Sequence, residues 1–68
     1  MKDEALNMSI RKYLKTVGVN SELASEKAVH NAIAEHQLKG NEILPVTMSL
    51  SVGRIDLKLA FNGELNLE

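Results

Sequence analysis

Few residues in this sequence have the chemistry to act as ligands, nucleophiles or phosphate contacts. His30 and His36 are the only histidines, and there is no cysteine. Metal-binding histidines on one helical face are normally four apart. A separation of six leaves these two about 120° out of line, at 3.6 residues per turn. Glu26 and Glu35 lie close in sequence and suit helix-surface ion pairs better than a metal shell. The hydroxyls of Ser9, Thr16, Ser21, Ser25, Thr47, Ser49 and Ser51 sit in no nucleophile-elbow motif. Gly18, Gly40, Gly53 and Gly63 are spread singly along the chain, so no glycine-rich phosphate loop exists. No catalytic residue, cofactor site or metal site is assigned, and the expectation is that the protein is not an enzyme.

Arg11, Lys12 and Lys15 make one small basic patch. It could touch phosphate or an acidic partner, but three charges bring only weak, salt-sensitive binding. Eight bases against nine acids leave a net charge of −1 and no basic excess for nucleic acid. Tyr13 and Phe61 are too few for a base-stacking platform. A weak nucleic-acid-associated regulator using the basic side of the first helix is therefore the second functional reading, and nucleic acid is disfavoured as a partner.

The elements that would position these residues follow from periodicity. Val46, Met48, Leu50 and Val52 alternate with small polar residues, and Ile55, Leu57, Leu59 and Phe61 alternate with Asp56, Lys58 and Ala60. A period of two puts each apolar set on one face of a strand. The spacing predicts strands over 46–52 and 55–61. A two-residue turn at Gly53-Arg54 would join them, pairing Val52 with Ile55 and Val46 with Phe61. Asn62-Gly63 suggests a further turn leading to a third strand at 65–67. A three-residue loop, Asn62 to Glu64, with a bulge at Gly63 would pair Phe61 with Leu65 and Leu59 with Leu67. With a two-residue loop instead, Leu65 and Leu67 point to the polar side and are free to bind something else.

Upstream, Leu6, Ile10, Tyr13, Leu14 and Val17 have helical spacing, which predicts a helix over 3–17. Gly18 is placed to cap it, and Asn20 to begin a second helix over 21–37, with Ala24, Ala28, Val29, Ala32 and Ile33 as its stripe. The expected fold is α+β, one domain over 1–68. Two N-terminal helices pack on one face of a C-terminal antiparallel hairpin or three-stranded meander. Its core would comprise Leu6, Ile10, Tyr13, Leu14, Val17, Ala28, Val29, Ala32, Ile33, Met48, Leu50, Leu57, Leu59 and Phe61.

Met8, Leu23 and Leu38 fall off these stripes. Either they pack locally near helix ends, or they form a second apolar surface for a partner. Sixty-eight residues without disulfides form a marginal domain, and small chains often complete themselves by oligomerising. The leading functional expectation is a protein-interaction or self-associating module, binding itself as a homodimer or another protein. No small molecule is indicated. No apolar stretch is long enough to span a membrane, and acids stand where a signal peptide would carry bases, so a cytoplasmic location is expected.

The run Glu4-Ala5-Leu6-Asn7-Met8-Ser9-Ile10-Arg11-Lys12, then Lys15, Val17-Gly18-Val19, Leu38-Lys39-Gly40 and Glu42, resembles a family of short bacterial proteins of unknown function. The resemblance spans nearly the whole chain. It implies a free-standing bacterial protein of this length and carries no activity, cofactor or catalytic residue.

Overall fold

The computed structural model describes residues 1–68, which divide into two units, Met1–Gln37 and Leu38–Glu68. The first unit is one helix, α1, running Asp3–Ala34 over 32 residues. At 1.5 Å per residue it is about 48 Å long. The two expected helices are thus a single one, and Gly18 and Asn20 lie in its interior. The reason is energetic. Glycine in a helix interior costs about 1 kcal/mol relative to alanine. Stopping there would orphan the last carbonyls and require a second nucleation, which orders several residues for one hydrogen bond. No proline lies between Asp3 and Ala34 to force the break.

Asp3 and Glu4 occupy the first turn, where the helix dipole favours negative charge. In the middle, Thr16 donates its hydroxyl to the Lys12 carbonyl at 3.1 Å, so its polar group is satisfied without leaving the helix. The end is a Schellman cap. The Gln37 amide donates to the Ala32 carbonyl at 2.8 Å and the His36 amide to the Ile33 carbonyl at 3.0 Å. His36 holds the left-handed position, at φ 62°, that glycine normally takes.

The second unit is a two-stranded antiparallel sheet, β1 (Ile43–Val52) and β2 (Leu57–Asn66). The apolar alternation holds, but the turn and register differ from expectation. Gly53–Ile55 form a single 3-10 turn, closed by the Asp56 amide donating to the Gly53 carbonyl at 3.2 Å. Asp56 sits at φ 53°, a left-handed conformation that aspartate tolerates better than most residues. The four-residue connection pairs Val52 with Leu57, Leu50 with Leu59, Met48 with Phe61 and Leu44 with Leu65. The shift from the expected register is two residues, so every apolar side chain keeps its face.

This register extends the ladder to Ile43–Asn66 and brings Leu44 and Leu65 together. It also sets Thr47 opposite Asn62, with the threonine hydroxyl donating to Asn62 Oδ1 at 2.9 Å. It gives Met48 an aromatic neighbour in Phe61, a favourable sulfur–ring pairing. The third strand is absent. Asn62-Gly63 is strand interior rather than turn, and Leu65 belongs to β2. Pro45 is accommodated because both strands of a two-stranded sheet are edges.

The expected core does not form: no residue in either unit is buried. Val17, Val29, Ala32, Ile33, Leu50 and Leu57 are half-buried, whereas Leu6, Ile10, Tyr13, Leu14, Ala28, Met48, Leu59 and Phe61 are exposed. A lone helix has no second element within its unit to cover its stripe. A lone hairpin leaves one whole sheet face open.

Two substitutions test the helix. An added Cβ at Gly18 meets nothing within 4 Å, so Gly18→Ala should stabilise α1 by about 1 kcal/mol. His36→Gly should gain a similar amount, about 1 kcal/mol, by removing a left-handed side chain. Circular dichroism at 222 nm during denaturation reads both. A loss of helicity for Gly18→Ala would mean that Gly18 is a left-handed cap and the helix breaks there.

Candidate functional site

Two surfaces and one loop stand out when the structure is built from its residues. The first surface is the apolar face of the sheet. Leu44, Val46, Met48, Leu50 and Val52 from β1 share it with Leu57, Leu59, Phe61 and Leu65 from β2. Phe61 is 56% exposed and Leu59 47%, so the face is open at its middle. Gly63 lies on the same face opposite Val46, and a Cβ there would stand 3.6 Å from Val46 Cγ1. The missing side chain leaves a shallow notch between Phe61 and Leu65. The opposite face carries Thr47, Ser49, Ser51, Lys58, Asn62 and Glu64 and suits water.

The second surface is the helix. Its continuity places Leu6, Ile10, Tyr13 and Val17 in line with Ser21, Ala24 and Ala28, within an arc of about 80°. Met8 and Leu23 are exposed on the other side, near Val19. Leu38 lies past the helix end, is half-buried, and belongs to the second unit. Leu23 and Leu38 are therefore not neighbours along one helix. Arg11, Lys12 and Lys15 do share one side of α1, within an arc of about 100°, and all are exposed.

The loop is the connection Leu38–Glu42. Glu42 Oε2 accepts the Lys39 amide at 2.8 Å, and Oε1 accepts the Gly40 amide at 2.9 Å and the Asn41 amide at 3.2 Å. Consecutive backbone N–H groups of this kind make an anion-binding concavity, and here the chain fills it with its own carboxylate. Gly40 supplies the φ of 103° that turns the three donors inward. The Glu42 carbonyl in turn accepts the Leu67 amide at 3.1 Å, tying the loop to the open end of the hairpin. These amides, Lys39 first and Gly40 second, hold the Glu42 carboxyl below its ordinary value. Sequence reasoning missed this role for Glu42. Its available signal was an acid two residues after a turn glycine and just before a strand.

No group of three histidine, cysteine, aspartate or glutamate side chains could hold a metal ion. His30 lies inside α1, while His36 terminates it. No helix is long and apolar enough to cross a membrane.

The chain belongs to a family of unknown function (DUF6494), whose model matches residues 1–68. No curated protein and no solved structure matches it.

The Glu42 cradle has a pH signature. Its folded-state carboxyl titrates below the unfolded one, so its contribution is present above the ordinary carboxylate range and is lost as pH falls through the lowered value. The amide resonances of Lys39, Gly40 and Asn41 should move together in acid, at a pH below the ordinary carboxylate range. Glu42→Gln should remove that transition. Movement of the three amides in the Gln variant at the same pH would show that another group controls the loop.

Proposed function

We propose that this member of a family of unknown function is a non-enzymatic interaction module whose fold is completed by a second polypeptide. One observation carries the reading: each unit presents an amphipathic element, and neither buries a residue. A two-stranded hairpin is marginal in water without a cover for its apolar face. Most helical stability likewise comes from packing of an apolar stripe rather than from propensity. The side chains that would be covered are large. Tyr13 is 58% exposed on the helix, and Met48 and Phe61 stand in mid-face on the sheet. Burying one such side chain is worth about 1.5–3 kcal/mol, so a partner that covers several supplies what this chain lacks.

Folding and binding are then linked, and stability rises with the concentration of the partner. The test is thermal unfolding together with sedimentation equilibrium, from low micromolar to submillimolar chain. Where the partner is a second copy, the mass should rise above 7.5 kDa and the unfolding midpoint should climb with concentration. A monomer that unfolds cooperatively, at one midpoint over the whole range, would overturn the proposal, because such a chain needs no second polypeptide.

A further inference from the structure

We infer that the second polypeptide is another copy of this chain, and that two copies pair α1 against α1, antiparallel, about a two-fold axis at Val17. The inference rests on the interaction reading above and adds the partner, the surface and the register.

The stripe Leu6, Ile10, Tyr13, Val17, Ser21, Ala24 and Ala28 has steps of four, three, four, four, three and four residues. That series reads the same from either end, with Val17 at its centre. An isologous pairing requires that residue i meet j while j meets i, which this symmetry permits along the whole stripe. Antiparallel helices centred on Val17 set Leu6 against Ala28, Ile10 against Ala24, Tyr13 against Ser21, and Val17 against itself. Every large side chain meets a small one. Dense interiors demand such alternation. A parallel pair would crowd Tyr13 against Tyr13 and leave Ala24 facing Ala24 across a gap. The register also pairs Asp3 with Asn31, so it uses nearly all of Asp3–Ala34.

Charge agrees with size. Before Val17 the unit holds Lys2, Arg11, Lys12 and Lys15 against Asp3 and Glu4, a balance of +2. From Gly18 to Gln37 it holds Lys27 against Glu22, Glu26 and Glu35, a balance of −2. Arg11, Lys12, Lys15, Glu22 and Glu26 project about 120° or more from the stripe, so these charges flank the pair at a distance and favour the antiparallel order only weakly. Antiparallel helix dipoles add to the same preference. The stripe is open to a partner: Leu6 is 45% and Ile10 46% exposed.

The chain has no cysteine, so single substitutions give unambiguous cross-links. Ile10→Cys and Ala24→Cys chains are mixed in a glutathione buffer and the disulfide-linked species are separated by mass. The mixed 10–24 dimer should exceed each self-dimer at least tenfold, and Val17→Cys should link to itself. A statistical mixture, or dominance of the self-dimers, would overturn the register. Ala28→Leu keeps a strong helix former, adds apolar surface, and should weaken association about tenfold because it meets Leu6. Tighter association of Ala28→Leu would also overturn it. If the wild-type chain dimerises but the 10–24 link fails, the helix register is wrong and the interaction module stands. A chain that is monomeric and unfolds without cooperativity rules out the second copy while leaving a different polypeptide as the cover. A cooperative, concentration-independent monomer overturns both.

Discussion

A helix that has started gains one hydrogen bond for each residue it adds, and stopping forfeits several at once. This asymmetry at Gly18 governs the rest of the molecule. Had the chain turned there, a second helix would have been available to fold back on the first. Because it continues, residues 3–34 make one rod with no neighbour of its own in that unit. The stripe of the first half is extended by Ala24 and Ala28 of the second, and neither half covers the other. The same choice moves the left-handed capping position eighteen residues on, to His36, where the cap forms despite the side chain.

The hairpin follows a different rule with a similar outcome. Alternation decides which side chains share a face, and a register shift of two leaves that unchanged. The loop therefore settles the pairing by what it adds at the far end. Moving Ile55 and Asp56 into the turn leaves Ile55 68% exposed. In return the ladder gains Leu44 with Leu65 and the Thr47–Asn62 hydrogen bond. The Glu42 carboxylate then anchors the incoming chain, and its carbonyl holds Leu67 at the same end. The sheet is well tied at its open end and uncovered on its apolar face.

These points separate what was legible in the sequence from what was not. The apolar faces could be read because they depend only on spacing: Val46 to Val52 by twos, Leu6 to Val17 by threes and fours. The two-strand pairing could be read for the same reason. The break at Gly18 was misread because a glycine followed by Val19-Asn20 satisfies local capping rules, while the cost of ending a helix is a property of the whole segment. The turn at Gly53-Arg54 was misread because the dipeptide fits a two-residue loop, and the advantage of the longer one lies ten residues away at Leu65. Met8 and Leu23 lie within α1, whereas Leu38 begins the second unit. Glu42 was invisible because its role arises from three backbone amides that no side-chain pattern announces.

The order of sizes along α1 acquires meaning only in the continuous helix. On two separate helices, Leu6 to Val17 and Ala24 to Ile33 would be a bulky stripe and a small one, suited to packing against each other within one chain. On a single rod Ala24 and Ala28 point the same way as Leu6 to Val17 and lie too far along to meet them, while Val29 and Ile33 turn to another side. The antiparallel pairing proposed above would let Ala24 and Ala28 meet that bulky segment between two rods. An internal helix pair and the proposed antiparallel dimer thus ask for the same residues, and the absence of a break at Gly18 removes the internal pair.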